Sequence, residues 1–158
     1  DRVWPDFITL SSQQSPFLRL APLEAQKTIV LEGLRITPLP VNHVVPTLGF
    51  LIEDDASAVL LVSDTGPSDA IWQRANTVPN LKAVFLEATF PNALGPLASV
   101  SKHLTPALFA AEVRKLRGKP RIIAVHIKAR YRDQVIRELQ ALGIANLEIG
   151  KPATIYTF

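Results

Sequence analysis

Three short runs in this chain are apolar at every position: Ala58 to Val62, Ala83 to Leu86 and Ile122 to Val125. Continuous runs of that length, bounded by turn-forming residues, predict strands buried on both faces. Earlier segments come in pairs instead. Thr28 to Leu31 and Leu34 to Leu39 flank Glu32-Gly33, while Leu48 to Glu53 and Ala58 to Val62 flank Asp54-Asp55-Ala56-Ser57. Both pairs predict β-hairpins. Helical spacing takes over between and after the later strands. Asp69 to Thr77 predicts one helix. Thr105 to Leu116 predicts a second, with Thr105 as its cap, Pro106 in its first turn, and Leu108, Ala111 or Val113, and Leu116 along one face. Arg130 to Leu142 predicts a third, stopped by Gly143. The tail from Leu147 to Phe158 predicts one or two short strands. Residues 1–26 are rich in Pro, Ser and Gln, and read as an irregular arm packing through Trp4, Phe7, Phe17, Leu18 and Leu20.

Composition narrows the picture without changing it. The 158 residues suit one domain with its own core. There is no cysteine, which excludes disulfides and thiolate metal sites and leaves His, Asp and Glu as metal ligands. The net charge is +3, from 17 basic and 14 acidic residues. The basic residues gather in Arg114 to Arg121 and Lys128 to Arg137, in and around two predicted helices, where they read as solvated faces. A nucleic-acid stripe would carry more charge and interleaved aromatics, so nucleic acid is not the expected partner. No apolar run approaches the roughly 18 residues of a membrane span. The opening Asp-Arg-Val-Trp-Pro-Asp-Phe is not a leader peptide. Starting at Asp1, the sequence is expected to be a piece of a longer chain. Cytoplasmic placement is favoured, with the periplasm as the alternative.

The candidate chemistry sits at the strand ends. Asp64 follows the run 58–62, Glu87 follows 83–86, and His126 follows 122–125. His43 lies just beyond a predicted strand, and His103 just before the helix capped by Thr105. In sheets covered by helices, ligands bind at the carboxyl ends of strands. Carboxylates and imidazoles converging there suit Zn²⁺, with Mn²⁺ or Fe also fitting. Each residue alone has an ordinary explanation. A histidine after a strand is commonly a hydrogen-bonded loop residue, Asp64 before Thr-Gly suits a turn, and Glu87 suits an ion pair.

Five segments nonetheless resemble, in order, the metallo-β-lactamase superfamily: Val41-Asn-His-Val-Val-Pro-Thr-Leu-Gly-Phe50, Val62-Ser-Asp-Thr-Gly66, Phe85-Leu-Glu-Ala-Thr-Phe90, Lys102-His-Leu-Thr-Pro106 and Val125-His-Ile-Lys-Ala-Arg-Tyr131. The Trp4-Pro-Asp-Phe7 opening and the His-Leu-Thr-Pro form are most similar to its class II cyclic-nucleotide phosphodiesterases.

That resemblance implies an α/β (α+β) fold, namely the C-terminal half of an αββα sandwich: a mixed sheet with helices on its outer face. Residues 1–158 would be a single partial domain, with 1–26 the arm and 27–158 the second sheet and its outer helices. It implies two divalent metal ions, with His43 ligating the first, Asp64 bridging both and His126 ligating the second. Glu87 would orient His103 near the leaving group, and Lys128 and Arg130 would bind substrate. The implied activity is hydrolysis of a 3′,5′-cyclic nucleotide such as cAMP or cGMP. The alternatives are a tRNA 3′-processing endonuclease, a lactamase-type or thioester hydrolase, and an inactive half-domain that self-associates. The family's His-x-His-x-Asp-His loop is absent, since no histidine precedes His43. Two ligands per ion fall short of the usual three. An apolar sheet face would also lie bare. An N-terminal segment or a second copy of the chain, as a homodimer, is expected to complete both.

Overall fold

The computed structural model describes residues 20–158 and the backbone of Ser11–Ser12 (β1) and Ser15–Pro16 (β2), which pair antiparallel. The expected anchors Trp4, Phe7, Phe17 and Leu18 lie outside the described residues. Leu20 does not anchor anything: it is 71% exposed.

Seven strands form one sheet in sequence order: β3 (Ile29–Leu31), β4 (Leu34–Pro40), β5 (Leu48–Glu53), β6 (Ala58–Leu61), β7 (Leu81–Glu87), β8 (Arg121–Val125) and β9 (Leu147–Ile149). β3 to β6 pair antiparallel, and β6 to β9 pair parallel. The change of mode follows from the connections. Glu32-Gly33 turns β3 into β4 with both residues at positive φ, +50° and +82°, as a type I′ hairpin requires. The Asp54 carboxylate accepts the Ala56 and Ser57 amides at 2.8 and 2.6 Å and closes the β5–β6 turn. After β6 the connections contain helices: α1 (Ala70–Ala75), α2 (Gly95–Ser101) with α3 (Pro106–Val113), and α4 (Arg132–Gln140). Helical crossovers are what parallel neighbours need.

Register separates the two faces. Thr37, Leu51, Leu60, Val84, Ile122 and Leu147 form one row across the strands. Leu51, Leu60, Val84 and Ile122 are fully buried there, against Ile71 and Trp72 of α1, Phe109 of α3, and Val135 and Leu139 of α4. Each large side chain so buried contributes roughly 1.5–3 kcal/mol. The other face carries Pro38, Phe50, Leu61, Phe85 and Ile123 in register. Phe50, Leu61 and Phe85 are only half-buried. The C-terminal tail covers part of that face: Tyr156 and Phe158 meet the Phe85 ring edge-on at 5.4 and 6.1 Å, and the Arg121 guanidinium lies over both tail rings. The run 58–62 is therefore not buried on both sides, because Val59 and Leu61 point to this second face.

Both expected hairpins and all three expected helices form, with ends shifted by a few residues. The tail holds one strand, β9. The helix α2 and the 3-10 turn before it, Asn92–Leu94, were not expected, because Gly95-Pro-Leu-Ala-Ser-Val-Ser is poor in helix formers.

The strand directions place the site. β4 is antiparallel to β5, and β5 to β6, so β4 runs with β6, β7 and β8. Their carboxyl ends share one edge of the sheet, and His43, Asp64, Glu87 and His126 all sit there.

Candidate metal centre

Each chemistry-bearing residue is held by a short, bent segment. His43 lies three residues beyond β4, where its amide bonds the Val41 carbonyl at 3.2 Å. Its neighbour Asn42 is laced to the loop after β6: the Asn42 amide donates to Thr65 Oγ1 at 3.2 Å, and the Gly66 amide to the Asn42 carbonyl at 2.7 Å. Ser63 before Asp64, Lys102 before His103, and His126 itself all adopt the left-handed region, with φ of +63°, +50° and +55°. Non-glycine residues seldom do so, and such backbone persists where the surrounding contacts over-determine it.

These segments bring all three histidines together with Asp64. His43, Asp64 and His103 each offer a ligand atom, and the three atoms lie within 4.8 Å of one another. His126 Nε2 lies 3.3 Å from Asp64 Oδ1. The His103 ring sits 5.0 Å from that of His43 and 5.7 Å from that of His126, centroid to centroid. The expected ligands were His43, Asp64 and His126, with His103 apart as a proton donor. The structure places His103 in the same cluster, beside His43 and Asp64.

Hydrogen bonds set which nitrogen of each ring faces the cluster. His43 Nδ1 lies 3.1 Å from the Lys102 carbonyl, which only accepts, so Nδ1 carries a hydrogen, and in the neutral ring Nε2 keeps the lone pair. His103 Nδ1 lies 2.6 Å from Glu87 Oε1. Imidazoles backed by a carbonyl or a carboxylate in this way are the usual arrangement at metal ligands, and the backing also raises ring basicity.

Glu87 does more than back His103. Its Oε1 also accepts the Thr65 amide at 2.9 Å, and its Oε2 accepts the Thr89 hydroxyl at 2.6 Å, the Leu104 amide at 3.0 Å and the Thr89 amide at 3.3 Å. The residue is 1% exposed. One buried carboxylate thus ties together the loops carrying Asp64, His103 and its own strand end.

Lys128 and Arg130, expected to bind substrate, are exposed. Among the described residues, no hydrogen bond or ion pair joins their side chains to the cluster. The Arg130 guanidinium lies 5.7 Å over the Tyr131 ring.

A second buried carboxylate escaped the sequence. Glu112, 2% exposed, accepts the Trp72 indole N–H at 2.5 Å and the Ser68 amide at 3.1 Å, and pairs with Lys115 at 2.8 Å. Lys115 also reaches Asp69 at 2.7 Å and the Ser68 carbonyl at 2.8 Å. Burial opposes the Lys115 charge, but the hydrogen bonds to Asp69 and Glu112 outweigh it and hold the ammonium above its usual 10.5. This network pins the segment that follows the Asp64 loop to α3.

The family model of the beta-lactamase superfamily domain matches residues 2–127. No curated protein sequence matches the chain. Solved structures do. The metallo-beta-lactamase fold protein YhfI from Bacillus subtilis superposes with a TM-score of 0.69 at 14% identity, over 83% of this chain and 52% of that one. The short form of human tRNase Z gives 0.62 at 16% identity, over 82% and 45%. A diphosphatase from the PhnP family gives 0.60 at 19% identity, over 80% and 44%. The chain spans about half the length of these proteins.

Proposed function

This chain belongs to the beta-lactamase superfamily, and from that premise we propose that it supplies one part of the active centre of a metal-dependent phosphodiester hydrolase acting on 3′,5′-cyclic nucleotides. The observation that carries the reading is the convergence of His43, Asp64, His103 and His126 at one sheet edge, with Glu87 bonded behind His103.

The donor set fits divalent metal ions, zinc first and Mn or Fe next. His43 has Nδ1 engaged by a carbonyl and Nε2 unengaged, Asp64 offers a half-exposed carboxylate, and no sulfur competes. When bound, such ions polarise phosphoryl oxygens and supply a nucleophile from water at neutral pH. In this reading His43 and Asp64 would hold one ion, and Asp64 and His126 the other. His103 Nε2 is not given to a metal. The Glu87 carboxylate fixes the ring at Nδ1, and in this reading Nε2 is the atom that donates a proton to the leaving 3′-oxygen. Glu87 orients that ring, and Lys128 and Arg130 attract the anionic substrate from the rim. Two ligands per ion need supplementing, so the remaining ligands come from further protein, an N-terminal segment or a second copy. The same protein covers the half-buried face around Phe50 and Leu61.

The test uses the complete protein. Zinc, manganese and iron are quantified after purification, and hydrolysis of cAMP, cGMP and bis(4-nitrophenyl) phosphate is measured with and without chelator. Chelator-sensitive turnover of a cyclic nucleotide is expected. A metal-replete protein that cleaves no phosphodiester sinks the reading.

A further inference from the structure

A cavity of about 650 Å³ lies beside the cluster, bounded by the loops after β4 and β6, by α2 and by the start of α3. Its lining includes Asn42, Gly66, Asn92, Gly95, Ser99 and Lys102. Its lining holds close chain neighbours of three cluster residues. Asn42 precedes His43, Gly66 lies two residues after Asp64, and Lys102 precedes His103. The Lys102 carbonyl is itself the acceptor for His43 Nδ1. The cavity thus adjoins the loops that carry His43, Asp64 and His103.

The lining offers a mixed set of hydrogen-bonding groups. The Asn42 amide NH₂ is used on the Pro67 carbonyl at 2.8 Å, which leaves its oxygen as an acceptor. The Asn92 side-chain oxygen is used on the Ala107 amide at 2.8 Å, which leaves its NH₂ as a donor. Lys102 makes one long contact, 3.3 Å to the His43 carbonyl, and keeps donors in reserve. Ser99 adds a hydroxyl of either sense. Donors and acceptors side by side in a cavity within the usual range for small-molecule sites match the edge of a purine or pyrimidine. A purely anionic group would use only the donors.

We propose that this cavity is the nucleobase subsite of the enzyme, with Asn42, Asn92, Ser99 and Lys102 reading the base edge while the phosphate lies at the histidine cluster. This rests on the phosphodiesterase reading for the position of the phosphate, but not for the existence of the subsite.

Gly95 provides the probe. It sits in helical backbone at φ −49°, and a Cβ built there meets nothing within 4 Å, so a larger side chain is accommodated without disturbing the fold. In the complete protein, Gly95→Leu and Ser99→Leu are compared with wild type on two substrates: cAMP, and methyl 4-nitrophenyl phosphate, which has no base. The ratio of kcat/KM for cAMP over the base-free ester is expected to fall at least tenfold in both variants. An unchanged ratio overturns the subsite. Binding of 5′-AMP, followed by NMR shifts of the Gly95 and Ser99 amides, is read in parallel. Saturable shifts in wild type and at least tenfold weaker binding in Gly95→Leu support the subsite even if no phosphodiester is cleaved, an outcome that would sink only the phosphodiesterase reading. Equal binding by wild type and variant, or no binding, overturns it.

Discussion

Glu87 and His103 are 16 residues apart in the chain and meet through a 2.6 Å hydrogen bond between Oε1 and Nδ1. The carboxylate comes from the end of β7 and the imidazole from the loop between α2 and α3. The bond therefore couples the proton state of a ring in the cluster to an acceptor that also holds the Asp64 loop, through the Thr65 amide.

Glu87→Gln tests that coupling. The amide keeps one oxygen but turns an NH₂ toward donors, so buried N–H groups lose their acceptor. Each such group costs about 1–3 kcal/mol. Urea unfolding of the variant should show a loss at the upper end of that range, with the His103 side-chain NMR signals shifted. A variant as stable as wild type would show that the loops are held by other contacts.

His103 has one nitrogen free, and that nitrogen cannot carry a proton and bind a metal together. The two roles separate in His103→Ala of the complete protein. If His103 is the proton donor, metal content stays at the wild-type value while kcat on a poor leaving group falls about 10²–10⁴-fold. Activity on a 4-nitrophenyl ester, whose leaving group needs little protonation, falls much less. Loss of bound metal instead would make His103 a ligand, as its position within 4.8 Å of the His43 and Asp64 donors also allows.

Ser63 tests the backbone that aims Asp64. At φ +63° it pays for a left-handed conformation that glycine adopts freely. Ser63→Gly should leave stability equal or raise it by up to about 1 kcal/mol, the strain relieved being partly offset by unfolded-chain entropy. Ser63→Val places a β-branched residue there and should lower stability by about 1–3 kcal/mol. Equal effects of the two, read by chemical denaturation, would rule out backbone strain as the cause.

The strand-end residues were legible because continuous apolar runs mark buried strands, and a polar residue within two positions after each falls at the end of the sheet. That placed Asp64, Glu87 and His126 before any coordinates. The approach of His103 to His43 was not legible. It depends on α2, whose Gly, Pro and Ser residues hide a helix stabilised by the buried Ala98 and the left-handed cap at Lys102. Glu112 was hidden for a related reason. Nothing local distinguishes a solvated helix glutamate from one whose partners, Ser68 and Trp72, lie 44 and 40 residues away.

The Glu112–Lys115 pair makes stability depend on pH in the alkaline range. Lys115 titrates above its usual 10.5 in the folded chain, so its contribution is fully present below that value and is lost as pH rises through the folded pKa. Lys115→Gln removes the ammonium and leaves the Glu112 carboxylate, 2% exposed, with only the Trp72 and Ser68 donors. Near pH 8 the variant should be about 1–2 kcal/mol less stable than wild type, less than for a fully buried pair because Lys115 is 32% exposed and water screens its charge. The difference should then shrink above about pH 10.5, because wild type loses the charge that the variant never had. Unfolding free energies from pH 8 to pH 12 measure both effects. A gap that stays constant across that range would show that Lys115 holds the segment by packing alone.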